Sequence, residues 1–174
     1  KLLDAYGLKR RLGSYHEHNA ESARAEILGA LAAGERVALV SDAGTPTVSD
    51  PGSGLVRAAL ERGIPVRTAP GPSAVMAAWS MCGFSQTSFT MMGFPPTRLS
   101  DREKWLAEVR EAGRPVVFLE APHRIRRTLE DLLATVGNRR VALCREMTKI
   151  HEELVVRPIY EILQSGFEER GEFT

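Results

Sequence analysis

Short apolar runs alternate with stretches of helical period along the whole 174-residue chain, and nothing else in the sequence restricts the fold as much. Asn19 stands where it can cap a helix over 20–33, in which Ile27, Leu28 and Leu31 share a face and which Gly34 stops. Residues 36–41 then read as a buried strand, 53–61 as a helix ended by Gly63, and 65–69 as another strand. A sharp Pro70-Gly71-Pro72-Ser73 turn leads into a small-residue helix over 74–81. Further strands are expected at 88–93, 116–119, 141–144 and 153–156. Between them fall a helix opened by a Ser100/Glu103 capping box and running to Ala112, and one with Pro122 in its first position and an apolar stripe of Ile125, Leu129, Leu132, Leu133 and Val136. Pro158 opens a last short helix. This alternation predicts an α/β fold with a largely parallel sheet or sheets. Polar stretches at 85–88 and 93–100 place a seam near Thr87, giving lobes 1–87 and 88–174.

Composition closes off several classes. An apolar content of 43% in a chain of this length can bury a real core. No apolar run approaches the roughly 18 to 20 residues that a bilayer span needs, so a cytoplasmic protein with no membrane partner is expected. Cys82 and Cys144 are far apart and outside any CxxC pair, and read as buried small hydrophobes. A net charge of +1 excludes a uniformly cationic surface but leaves local basic clusters at 9–11, 124–127 and 139–140. The chain begins at Lys1 within a helical pattern (Leu2, Leu3, Tyr6) and stops as a strand pattern resumes at Phe173-Thr174, so it reads as a piece of a longer protein.

In open α/β sheets, ligands bind beyond the carboxyl ends of strands, and the least ordinary residues of this chain stand there. The loops are 41–52, 70–73, 93–96, 120–124 and 145–153. Prolines preset their backbone and glycines let a ligand approach it, so little order is lost on binding. Glu120, His123, Arg124, Arg145, Glu146, Lys149, His151 and Glu152 offer bases and cations together, and a solvated charged face is the alternative for any one of them. Asp42 and Asp50 have a second reading as turn formers that bond their own backbone. His16-Glu17-His18 puts two imidazoles on one side of an extended strand, but a metal would need a third ligand and none suggests itself, so no metal is expected. These residues and Asn19 read better as substrate-side or capping groups.

Taken in order, VSDAGTPTVSDPG (40–52), APGPSAV (69–75), GFPP (93–96), FLEAPHRI (118–125) and CREMTKIHEE (144–153) resemble the bacterial ribosomal RNA small-subunit methyltransferases of the tetrapyrrole methylase-like superfamily. The resemblance covers nearly the whole chain. It implies two α/β lobes of the tetrapyrrole methylase type with an S-adenosyl-L-methionine cleft between them, and methyl transfer to a cytidine ribose 2′-hydroxyl of 16S ribosomal RNA, in the decoding region. Family members begin with a strand and a TPIGNL-like loop and continue past the equivalent of Thr174 into a strand and a small helical domain, neither of which is present in this sequence.

Residue by residue, the resemblance sets Asp42, Ala43, Gly44, Thr45 and Pro46 against the methionine part of the cofactor, with Asp42 on its ammonium. Ser73 and Ala74 match the turn at the far side of the first lobe, and Ala121 and Met147 approach the adenosine. N–H groups around Gly44 and Ser73 would meet the cofactor's carboxylate. Glu146, or a Lys149 of lowered pKa, would activate the acceptor hydroxyl. His123, Arg124, Arg145 and Glu152 would take the RNA, the arginines through phosphate. The resemblance also implies a homodimer, and Val75, Met76, Trp79, Met81, Met91, Met92 and Phe94 supply apolar surface for it. Two alternatives stand beside this reading: a methylase of the same superfamily with a small-molecule or protein substrate, and a non-catalytic RNA-binding module.

Overall fold

The computed structural model describes residues 2–174, and the chain divides into two compact units, the first ending at Pro72 and the second running Ser73–Thr174. The expected seam at Thr87 falls inside the second unit.

In the first unit, α1 (Leu2–Ala5) is followed by α2 (Ala20–Ala32) and α3 (Ser53–Glu61). Leu28 of α2 meets Leu55 and Ala59 of α3, with Tyr15, Ile27, Leu31 and Ile64 packed around them. Both helices end in left-handed glycines that return a later N–H to an open carbonyl. Gly34 (φ 88°) lets Glu35 N–H reach the Ala30 carbonyl at 3.0 Å, and Gly63 (φ 68°) lets Ile64 N–H reach that of Ala59 at 3.0 Å. Asn19 occupies the cap of α2 but bonds backwards: its Oδ1 accepts from His16 N–H at 2.8 Å, and its Nδ2 donates to the Ser14 carbonyl at 3.0 Å. Residues 17–19 therefore form a turn, not a strand, and the His16 and His18 rings meet edge-on at 6.0 Å.

The expected strands at 36–41 and 65–69 form no ladder among the described residues, and Val37, Val40 and Val66 remain exposed. Their composition suits a buried strand. A strand nevertheless exists only with a neighbour that takes up its backbone N–H and C=O groups.

The second unit holds α4 (Ala74–Met81), with Ser73 Oγ accepting from Met76 N–H at its start, and two strand pairs. β1 (Thr90–Met91) runs parallel to β2 (Val116–Val117), and β3 (Arg140–Arg145) is antiparallel to β4 (Glu153–Pro158). Phe173 joins the pairs through antiparallel bridges to both Glu120 and Arg145. Being antiparallel to each, it makes β2 and β3 run the same way, so β1, β2 and β3 present their carboxyl ends at one edge. The hairpin is the departure from a parallel sheet, because the link 146–152 is shorter than the dozen or so residues a parallel crossover needs. Beyond Phe173 and Thr174, a cavity of about 400 Å³ lies between β2 and β3, lined by Trp79, Cys82, Val117 and Leu143 among others.

Helices α5 (Leu99–Glu111), α6 (Ile125–Val136) and α7 (Ile159–Ser165) cover the unit's core. The stripe read on α6 is buried at Ile125, Leu129 and Leu132, against Trp105, Val109, Leu143, Ile159, Ile162 and Phe173. Two helix starts differ from expectation. α5 begins at Leu99 with Arg98 at its cap, which puts Ser100 and Glu103 inside the helix with no capping box. Pro122 lies in a turn over 122–124, and Arg124 caps α6. Cys82 and Cys144 are free and buried, and desolvation leads the causes that push the Cys144 thiol up to about 11. No helix among the described residues is long and apolar enough to cross a membrane.

Candidate functional site

The loop after residues 36–41 folds on itself. The Ser41 hydroxyl donates to the Ala43 carbonyl at 2.7 Å, and Val48 N–H donates to the Thr45 carbonyl at 3.3 Å. Gly44 (φ 72°), Thr47 (φ 71°), Ser49 (φ 57°) and Gly52 (φ 134°) are all left-handed, a conformation that costs a non-glycine residue about 1 kcal/mol or more. Thr45 Oγ1 donates to the Pro72 carbonyl at 2.9 Å and so fastens 41–52 to the Pro70–Pro72 turn. A Cβ at Gly44 would lie 3.9 Å from that same carbonyl, so the two loops approach each other closely here. Asp42 is exposed, and among the described residues its carboxylate makes no hydrogen bond or ion pair. The turn bond that the alternative reading gave to Asp42 is made by Ser41.

In the second unit the remaining loops gather at the carboxyl ends of β1, β2 and β3. Leu119 N–H donates to the Gly93 carbonyl at 2.8 Å, joining the loop after β1 to that after β2. Glu120 is 3% exposed. Its carboxylate accepts from Ala121 N–H at 2.8 Å and from Thr128 Oγ1 at 2.6 Å, and pairs with Arg124 Nε at 3.3 Å. The same guanidinium donates to the carbonyls of Pro95 and Pro96. Arg124 is thus engaged within the protein, while the neighbouring His123 is exposed.

Across Phe173 stands the loop after β3. Arg145 pairs with Glu153 at 2.9 Å and donates to the Arg170 carbonyl at 3.3 Å, so it too has internal partners. Glu146 (φ 47°) and Thr148 (φ 66°) make the turn, and the Glu152 carboxylate closes it by accepting from Thr148 N–H. Glu146 Oε1 accepts from Lys149 Nζ at 2.9 Å and from Glu172 N–H at 2.8 Å, and Lys149 Nζ also reaches Glu172 Oε2 at 3.0 Å. Those bonds hold the Glu146 carboxyl below the usual range, the Lys149 bond first. They raise the Lys149 ammonium, through Glu146 first and Glu172 second. The expectation of a lowered lysine is therefore corrected: two carboxylates hold the proton on.

Glu120–Arg124 and Arg145–Lys149 thus flank one segment, with Ala121 and Glu146 each one residue past a bridge to Phe173. Met147 is half-buried between Glu146 and the left-handed Thr148. Asp42–Pro46 belong to the first unit, and Ser73, Ala74 and all the other expected site residues to the second. Sequence reasoning missed Gly171, where a Cβ would fall 2.4 Å from Glu146 Cγ, and Glu172 beside it. It missed Arg102 and Thr128 as well. A signal existed for Thr128, a hydroxyl set within the apolar stripe of α6.

An α/β unit with polar loops collected at the carboxyl edge of its strands, as in the second unit, has the organisation of a ligand-binding α/β protein. More narrowly, residues 4–163 match the Tetrapyrrole (Corrin/Porphyrin) Methylases, and the chain belongs to that family. It is similar to proteins named Ribosomal RNA small subunit methyltransferase I. That of Halalkalibacterium halodurans is 39% identical over 99% of this chain and 61% of its own length. That of Thermotoga maritima is 41% identical over 99% and 78%, and that of Micromonospora olivasterospora 42% identical over 100% and 56%. The chain thus spans from 56% to 78% of the length of these three relatives. The crystal structure of the methyltransferase CobJ superposes with a TM-score of 0.63 at 22% identity, over 95% of this chain and 73% of that one. It shares the fold, which is the α/β tetrapyrrole methylase type read from the motifs.

Proposed function

We propose that the protein is an S-adenosyl-L-methionine-dependent methyltransferase of small-subunit ribosomal RNA, with a cytidine ribose 2′-hydroxyl of the decoding region as acceptor. The observation that carries this is the fastened, glycine-containing loop 41–52 with an exposed Asp42 carboxylate that no protein group among the described residues occupies, in a chain 39% to 42% identical to the three proteins named Ribosomal RNA small subunit methyltransferase I above. The loop fits the cofactor chemically. Asp42 is an open partner for an ammonium, and Gly44 carries no side chain where backbone N–H groups would face a carboxylate.

When bound, the cofactor supplies an electrophilic methyl group on a sulfonium. Asp42, Ala43, Gly44, Thr45 and Pro46 hold its methionine part, Ser73 and Ala74 contribute backbone N–H groups, and Ala121 and Met147 border the adenosine. The chain's task is to place the acceptor oxygen about 3 to 3.5 Å from the methyl carbon. Lys149 contributes as a fixed cation. Two of its N–H groups go to Glu146 and Glu172, and the third is left to steady the oxygen as it loses its proton. Glu146, held ionised, offers its second carboxylate oxygen to orient that hydroxyl and to accept its proton as the oxygen is methylated. His123 meets the RNA directly, while Arg124, Arg145 and Glu152 fix the shape of the RNA-facing loops through their internal bonds.

The protein acts in the cytoplasm as a homodimer in this reading, with Met76 (55% exposed) and Phe94 (51% exposed) in the interface. Val75 is spent in the unit's own core. The test is to incubate the protein with small ribosomal subunits and a labelled methyl donor and to map the label. A 2′-O-methylated cytidine is expected, and label confined to protein or to a small molecule would sink the reading.

A further inference from the structure

Arginine is almost never fully buried unless it is paired, yet Arg102 of α5 is 6% exposed. Its Nε donates to Asp131 at 2.7 Å, one terminal nitrogen donates to Thr128 Oγ1 at 2.8 Å, and the other reaches the Pro96 carbonyl at 3.5 Å. The Thr128 hydroxyl is wholly buried and donates to Glu120 Oε2, while Glu120 Oε1 accepts from the Ala121 N–H. Asp131, Arg102, Thr128, Glu120 and Arg124 therefore form one charge-balanced chain of bonds, and no buried side-chain polar atom among the described residues lacks a partner.

Such a network is weak evidence for stability, since well-packed apolar residues often serve as well. What it supplies is fixed geometry. Arg102 of α5 and Arg124 at the cap of α6 donate to the carbonyls of Pro95 and Pro96, in a loop whose prolines have no N–H of their own. At the other end of the network, Glu120 sets the direction of the Ala121 N–H.

We propose that Arg102 is a positioning residue: through Thr128 and Pro96 it sets the backbone of the two strand-end loops, 93–96 and 120–124, against which the cofactor and the RNA are read. The cofactor arm of this inference rests on the methyltransferase reading, and the backbone arm does not. Thr128→Val keeps shape and removes the relay, Thr128→Ser keeps the relay, and Arg102→Met removes the donor. Amide exchange at Ala121 is followed beside that of the α6 amides, and S-adenosyl-L-methionine affinity is measured by calorimetry.

In Thr128→Val and Arg102→Met, Ala121 exchange should quicken and cofactor affinity should fall, each about tenfold, with α6 protection kept. Thr128→Ser should restore both. Unchanged Ala121 exchange in Thr128→Val would overturn the proposal, as would equal loosening of α6, because the network would then serve the fold as a whole. Unchanged affinity in a variant whose Ala121 amide has loosened would overturn it too. If the wild-type protein binds no cofactor while the exchange responds as described, the methyltransferase reading falls and the positioning role stands.

Discussion

The Lys149 ammonium lies 2.9 Å from Glu146 Oε1, and this pair, with Glu172 at 3.0 Å, ties the loop after β3 to the segment at 170–173. The pair has two pH limits. Glu146 titrates lower in the fold than in the unfolded chain, so its contribution is complete above the ordinary carboxylate range and is lost as pH falls through the lowered value. Lys149 titrates higher, so its contribution is complete below the ordinary lysine range and is lost as pH rises through the raised value. The Glu172 amide, which donates to Glu146, should therefore stay protected at constant level across neutral pH and lose protection only in acid below the ordinary carboxylate range or in alkali above the ordinary lysine range. Lys149→Met should move the acid limb upward. A change in intrinsic-rate-corrected protection between pH 6 and 8 would contradict the assignment.

A lysine kept charged is a poor base and a good fixed cation. Lys149→Ala should lower the single-turnover methylation rate on small subunits about 10²-fold with cofactor affinity nearly unchanged, and Lys149→Arg should recover part of the loss. Equal rates in wild type and Lys149→Ala would remove this residue from the chemistry.

Gly171 has φ of 90°, and a Cβ there would overlap the Glu146 side chain at 2.4 to 2.6 Å. Gly171→Ala should expel Glu146 from its bonds and strain the backbone, costing about 1 to 3 kcal/mol. Thermal unfolding and Glu172 amide exchange should register the two effects together. An unshifted melting temperature would show that the segment yields freely.

Helix periodicity was legible because it is a local property. The faces of α2 and α6 follow from their own spacing, and Gly34 and Gly63 stop α2 and α3 as their conformational freedom allows. Strands at 36–41 and 65–69 were over-read, since an apolar run records burial and says nothing of a partner. The capping box at Ser100/Glu103 failed because Leu99 already lies in the helix. Among site residues, loop position was legible and chemical state was not. A Lys149 of lowered pKa stands as the alternative to Glu146, and only the spatial meeting with Glu146 and with Glu172, 23 positions later, shows why the lysine keeps its proton. Arg102 and Glu120 meet through Thr128 across helices, and no local pattern announces such a meeting.

Gly44 and Thr45 test the fastening of the first unit's loops separately. Gly44→Val sets a branched side chain on a backbone at φ 72°, where a branched residue is strained, and fills the space beside the Pro72 carbonyl. Thr45→Val removes only the bond to Pro72. Cofactor affinity should fall by about tenfold for Thr45→Val and further for Gly44→Val, with helical circular dichroism preserved in both. Binding at wild-type strength in Gly44→Val would place the cofactor elsewhere.

Asp42 separates a binding role from a turn role most cleanly. Its carboxylate is exposed and bonded to nothing among the described residues, while Ser41 supplies the turn bond beside it. Asp42→Asn keeps the size and a polar tip, so stability should stay within about 0.5 kcal/mol of wild type. If the carboxylate pairs with the cofactor's ammonium, the same change removes a charge-assisted bond worth about 1.5 to 3 kcal/mol, and affinity should fall roughly 10- to 100-fold. A turn-forming aspartate would give the reverse result, with lower stability and unaltered binding. Calorimetry with S-adenosyl-L-methionine beside a thermal melt of the same preparation distinguishes the two, and intact affinity in Asp42→Asn would take this residue out of the site.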